Sequence, residues 1–249
     1  MNPPPPTALI RPPQVLIQIC SPGEVIIIRD ISADSTSSLV SALAAEVAGH
    51  AGERVLIGLA GPPGSGKSTL ARNLVDEMNA RGTCAAAIMP MDGYHLSTFQ
   101  LDRQGIASIR GAPETFDVNG FVAALARLRS PGVDTVYLPD YSRVIDEPIA
   151  ASIAIAADTN VVVVEGNYLL LGSGEWTKVE TYLTHSWFLD VEWEVCRQRL
   201  ITRHTNTGKS LAAATEWVDR SDKANYDLIV GGSRTPGVRF IRQGQARKS

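Results

Sequence analysis

Val55-Leu56-Ile57-Gly58-Leu59-Ala60-Gly61-Pro62-Pro63-Gly64-Ser65-Gly66-Lys67-Ser68 carries an unbroken apolar run into a glycine-rich loop and then into a segment of helical character from Ser68 to about Asn79. Gly61 to Ser68 fits the phosphate-binding pattern G-x-x-x-x-G-K-[ST] in full, in the strand–loop–helix setting that the pattern requires. Glycines let backbone N–H groups converge on phosphate oxygens, and the helix N-terminus adds a favourable dipole for an anion. Lys67 is expected to reach the β- and γ-phosphates, and the Ser68 hydroxyl to ligate Mg2+. Gly61, Pro62, Pro63, Gly64, Ser65, Gly66, Lys67, Ser68 and Thr69 thus form the expected nucleotide contact.

Outward from this loop the chain alternates between strand and helix. Strands are expected at residues 85–89, 133–138, 161–164, 187–189 and 228–230, and helices at residues 120–128, 192–203 and 211–222. An amphipathic helix is also expected over residues 35–50. Such alternation predicts an α/β fold, a parallel sheet covered by helices on both faces. Val161-Val162-Val163-Val164 has the continuous apolarity of a central parallel strand. Residues 1–13 are proline-rich, and two β-rich runs, residues 15–20 and 25–28, flank Ser21-Pro22-Gly23-Glu24 as an expected hairpin. The glycine-rich, basic end from Gly231 to Ser249 is expected to fray.

Bulk properties narrow the function classes. The 249 residues are 44% apolar and 20% charged, with a formal net charge of -3. That balance speaks against nucleic acid as a main partner, because phosphate-backbone binding demands a basic face. Cys20, Cys84 and Cys196 are widely spaced and lack the short spacing of zinc or redox motifs. No secretory leader and no apolar run of about 18 residues is present, so a soluble cytoplasmic protein without a membrane partner is expected.

Two carboxylates end strands. Glu165 follows the valine run and lies beside the phosphate loop if the two strands are neighbours; there it could hold Mg2+ through water, or it could simply meet solvent. Asp92, in Met91-Asp92-Gly93-Tyr94-His95, could accept the proton of an attacking hydroxyl, although an Asp-Gly pair also forms turns. His95 is open between binding substrate and packing. Asp190 reads as a cap for a helix that presents Arg197, Arg199 and Arg203, the last two on one face. Asp117 reads as the cap of the helix at residues 120–128.

The phosphate loop together with MDGYHL (residues 91–96), RGAPETFD (110–117), LPDYSR (138–143) and EGNYLLL (165–171) resembles the phosphoribulokinase/uridine kinase family, over about Leu39 to Val230. Within it, the match is nearest to the bacterial branch described as pantothenate kinase-like or fructose-transport-associated. The resemblance implies ATP and Mg2+, a parallel five-stranded core with a small lid, and a small-molecule acceptor. It puts the base at Asp92 and acceptor contacts at Tyr94, His95, Arg110, Tyr141 and Arg143. It also implies a functional lid arginine, Arg199 or Arg203, and a place for Asn225 near the adenine base. The resulting organisation is an extension over residues 1–30, a P-loop kinase domain over 31–230 and a flexible tail over 231–249, with a homodimer left open.

The leading functional expectation is an ATP-dependent kinase acting on a hydroxyl of a small metabolite such as a nucleoside, a pantothenate-like molecule or a sugar. A nucleotide-dependent regulatory or assembly module and a simple NTP hydrolase are the alternatives.

Overall fold

A computed structural model describes residues 25–28, 36–41, 50, 52–82, 84–233 and 238–243. The phosphate-loop strand β2 (Val55–Ala60) and the valine strand β6 (Val161–Gly166) are buried at every position and run parallel as neighbours, Leu59 opposite Glu165. Strand β3 (Ala86–Pro90) flanks β6, and β7 (His185–Asp190) flanks β2 on the other side. All pairings in this sheet are parallel, so its central order is β7-β2-β6-β3.

Alternation of side chains along the central strands builds two cores. Val55, Ile57, Leu59, Val161 and Val163 face helices α2 (Lys67–Arg81) and α5 (Trp193–Asn206) through Leu70, Leu74, Cys196 and Leu200. Leu56, Ala60, Val162 and Val164 face α4 (Val118–Arg129) through Phe121, Leu125 and Leu128. Burial on both faces is what makes these strands read as continuous apolar runs. Asp117 caps α4 as expected, accepting from the Gly120 N–H at 2.9 Å. Residues 36–41 are helical (α1), with Leu39 and Val40 buried.

Several expected elements differ. Leu228-Ile229-Val230 lies in helix α7 (Lys223–Gly232), where Asn225 and Ile229 share the buried side and Leu228 is exposed. Three apolar residues cannot by themselves separate strand from helix. The strand expected at residues 133–138 is β4 (Val136–Ser142), which leaves the parallel sheet and pairs antiparallel with β5 (Glu147–Ile155). The tail does not simply fray, because β8 (Arg239–Gln243) pairs with β7 and with β1 (Val25–Ile28), extending the sheet to six strands among the described residues. The first run of the expected amino-terminal hairpin, residues 15–20, lies outside the described residues. Asp190 ends β7 rather than capping α5, whose N-cap is Glu192. Helix α3 (Thr98–Gln104) follows β3, and α6 (Leu211–Trp217) passes through a π-helical turn, Val218–Asp222, into α7. Among the described residues, no helix is long and apolar enough to cross a membrane.

Candidate active site

Parallel strands all deliver their carboxyl ends to one edge, and the loops after β2, β3 and β6 meet there. Gly64 and Gly66 adopt φ of 77° and 96°, a region that side chains other than glycine enter at a cost. A Cβ on Gly64 would stand 2.7 Å from the Cys196 carbonyl oxygen, so the loop lies directly on α5. The Ser65 hydroxyl oxygen is buried without a hydrogen-bond partner among the described residues. Lys67, the first residue of α2, is buried, and desolvation lowers its pKa against the opposing pull of Glu165 and Asp92. Ser68 Oγ donates to Glu165 Oε1 at 3.0 Å. Burial raises the pKa of Glu165, with Lys67 and the Ser68 hydrogen bond acting the other way.

Pro90 stands opposite Glu165 in the sheet, and the chain then turns through a 3-10 segment, Met91–Tyr94, that presents Asp92. Asp92 Oδ2 accepts from Arg143 Nη2 at 3.1 Å, and its backbone oxygen lies 2.8 Å from His95 Nδ1. Burial works to raise the Asp92 pKa, but positive charge from His95, Lys67, Arg143 and Arg203 outweighs it and holds the carboxyl below its ordinary range. The His95 imidazole is itself pushed down by burial. Its ring packs between Phe116 and Tyr141, with centroids at 4.0 and 4.9 Å.

A cavity of about 550 Å³ opens over these groups, lined by Lys67, Ser68, Asp92, His95, Arg110 and Arg143 and closed on the lid side by Arg203 and Asp222. Arg110 donates to Asp146 Oδ2 at 2.7 Å and to Thr98 Oγ1 at 2.5 Å. From α5, His204 Nε2 stands 3.0 Å from the buried carboxylate of Asp222, at the end of the π-helical turn. The arrangement sets the Asp92 carboxylate, a buried lysine and three guanidinium groups around one cavity. It can take a polyanion at the loop and withdraw a proton from a group opposite.

The family model for the phosphoribulokinase/uridine kinase family matches residues 56–233. The chain belongs to that family. Membership makes it a P-loop kinase, a nucleotide-dependent phosphotransferase. A Schizosaccharomyces pombe protein provisionally named a uridine kinase is 35% identical over 193 residues, covering 75% of this chain and 82% of the relative. The crystal structure of a Silicibacter sp. TM1040 protein provisionally named a fructose transport system kinase superposes with a TM-score of 0.76 at 30% identity, over 82% of this chain and 98% of that one. The fold also matches YFH7 of Saccharomyces cerevisiae, with a TM-score of 0.73 at 19% identity, over 84% and 99% of the two chains.

Within this family member, His95, Arg110, Tyr141, Arg143 and Arg203 line the cavity with Lys67, Ser68 and Asp92, whereas Tyr94 and Arg199 do not. Tyr94 is buried in the core, edge-on to Phe121 at 5.1 Å, and does not line the cavity. Arg199 reaches the phosphate loop from outside the cavity, donating to the Gly64 and Ser65 carbonyls at 3.3 and 3.0 Å, whereas Arg203 lines the cavity. Arg197 pairs with Asp219 at 2.6 Å. Asn225 lines the cavity beside Asp222, with its amide the nearest neighbour of a Cβ built on Gly111, 3.6 Å away. Sequence reasoning missed Asp146, Asn167, His204 and Asp222. Asn167 lay within a quoted motif, and its Oδ1 is buried without a partner among the described residues, but nothing local marks the others.

Proposed function

We propose that this protein is an ATP-dependent kinase that transfers the γ-phosphoryl group to a hydroxyl of a small, soluble metabolite, with Asp92 as the proton acceptor. The observation that carries this reading is that Asp92, Lys67 and Arg203 line one cavity at the edge where the phosphate loop opens, with the surrounding positive charge favouring the Asp92 carboxylate. Lys67 and Arg203 would offset the charge on the transferring group, and Asp92 would orient the acceptor hydroxyl and take its proton. His95, Lys67 and Arg143, the last hydrogen-bonded to Asp92, together favour its ionised form.

The donor set at the loop fits Mg2+: the Ser68 hydroxyl and the Glu165 carboxylate are hard oxygen ligands beside the nucleotide-phosphate site. Bound there, the ion would neutralise phosphate charge. The orphaned Ser65 hydroxyl likewise fits a loop built to meet phosphate oxygens.

The test is transfer of label from γ-labelled ATP to a panel of nucleosides, sugars and pantothenate-like alcohols by purified protein. A labelled acceptor supports the reading. Binding of Mg·ATP with no labelled product in the panel or in a metabolite extract sinks it in favour of a regulatory module, and phosphate release indifferent to added metabolites would mark a hydrolase.

A further inference from the structure

At the far end of the cavity each guanidinium group is already answered by an anion of this chain. Arg110 donates from Nη1 to Asp146 Oδ2 at 2.7 Å and to the Asp146 backbone oxygen at 3.1 Å, and from Nη2 to Thr98 Oγ1. The Tyr141 hydroxyl donates to the other Asp146 carboxylate oxygen at 2.8 Å, completing the enclosure. Arg143 is paired with Asp92. Lys67 and Arg203, by contrast, make no side-chain hydrogen bond to a described residue.

Asp146 is not held in this position by burial. Its side chain is 72% exposed, whereas Arg110 is 21% exposed, and its backbone sits at φ 55° in the turn between β4 and β5. A residue other than glycine adopts that left-handed region at a cost, which aspartate and asparagine bear best. The turn thus presents a carboxylate to a guanidinium group that would otherwise face an acceptor.

The charge of the whole cavity points the same way. Among the described residues, five lysine and arginine side chains line it against three aspartates. On the kinase reading above, on which this inference rests, Mg·ATP is a dianion and takes up that surplus. At the Arg110 end of the cavity an acceptor bearing a phosphate or carboxylate would then meet guanidinium groups already paired with Asp146 and Asp92, and displacing Asp146 from Arg110 would break three hydrogen bonds.

We propose that the acceptor is an uncharged polyhydroxylated molecule, a nucleoside or free sugar rather than a sugar phosphate or hydroxy acid, and that Asp146 sets this preference by closing the Arg110 fork. Arg110 and Tyr141 then hold the acceptor pocket in shape, and His95 and Arg143 remain to meet its hydroxyls.

The experiment compares paired acceptors on one scaffold: uridine with its 5′-monophosphate, ribose with ribose 5-phosphate, and pantothenol with pantothenate. Phosphoryl transfer and calorimetric binding in the presence of Mg·ADP are read separately. Wild-type protein should favour the uncharged member of a pair by about tenfold or more. Asp146→Asn tolerates the left-handed turn and keeps an oxygen for Tyr141, but frees the Arg110 charge. It should bind inorganic phosphate, used as a probe with Mg·ADP present, about tenfold more tightly than wild type. Adding Arg110→Gln should abolish the gain. Wild-type preference for the anionic member, or unchanged phosphate affinity in Asp146→Asn, overturns the proposal. Absence of transfer to every acceptor while Mg·ATP still binds counts against the kinase reading instead, and the phosphate-binding arm still decides the role of Asp146.

Discussion

Ser68 and Glu165, 97 residues apart in the chain, are joined by a 3.0 Å hydrogen bond from the Ser68 hydroxyl to the Glu165 carboxylate. The contact exists because β2 and β6 are parallel neighbours in register, Leu59 opposite Glu165, so both strands end at the same height. If the pair holds Mg2+, Ser68→Ala removes one oxygen ligand and leaves Glu165 in place. The Mg2+ concentration at half-maximal transfer should rise by about tenfold, and saturating Mg2+ should recover much of the rate. An unchanged Mg2+ titration contradicts the assignment.

Asp92→Asn keeps the shape of the turn and removes the negative charge. Mg·ATP affinity should stay within about threefold while single-turnover transfer falls by about 10²-fold or more, the scale of a lost general base. The wild-type pH profile carries a second signature. Because the Asp92 pKa is depressed, its protonation requires a pH below the ordinary carboxylate range, whereas Glu165, raised by burial, takes up its proton first as pH falls. The first acid limb should therefore move to lower pH as Mg2+ is raised, since the metal competes with that proton.

Arg203 and Arg199 occupy one helix face but reach different places. Arg203→Ala should lower the rate of transfer by about 10³-fold with little change in nucleotide affinity, because it removes charge from beside the reacting group. Arg199→Ala instead frees the Gly64 and Ser65 carbonyls, loosening the loop. It should raise the Kd for Mg·ATP by more than it lowers the single-turnover rate. Measuring both quantities on both variants separates the two roles, and a reversed pattern would exchange them.

Gly93 holds Asp92 against the β4–β5 hairpin. A Cβ at this position would stand 2.3 Å from the Pro139 carbonyl oxygen and 2.6 Å from its carbon, both backbone atoms that cannot swing away. Gly93→Ala should cost about 2 kcal/mol or more in urea denaturation and reduce transfer by displacing Asp92. A variant with wild-type stability would show that the hairpin yields at no cost.

The amino-acid sequence by itself determined the phosphate loop and the parallel sheet that carries it, because both are local properties. The glycine spacing with Lys67 and Ser68 needs only neighbouring residues, and a strand buried on both faces, such as Val161–Gly166, writes its environment into four consecutive valines. Glu165 could be assigned to the loop because strands of a parallel sheet end on a common edge. Three other features were decided only by tertiary structure. Tyr94 went to the core and His95 to the cavity, although they are adjacent, because Tyr94 packs on Phe121 of α4 while the His95 ring packs on Tyr141 of the β4–β5 hairpin. Arg199 and Arg203 differ by which part of the loop and cavity lies beneath each turn of α5, a matter of helix placement and not of composition. Asp146 has no local mark at all: its role comes from a hairpin folding back over 36 residues to close on Arg110, and contacts of that range are set by how the elements pack.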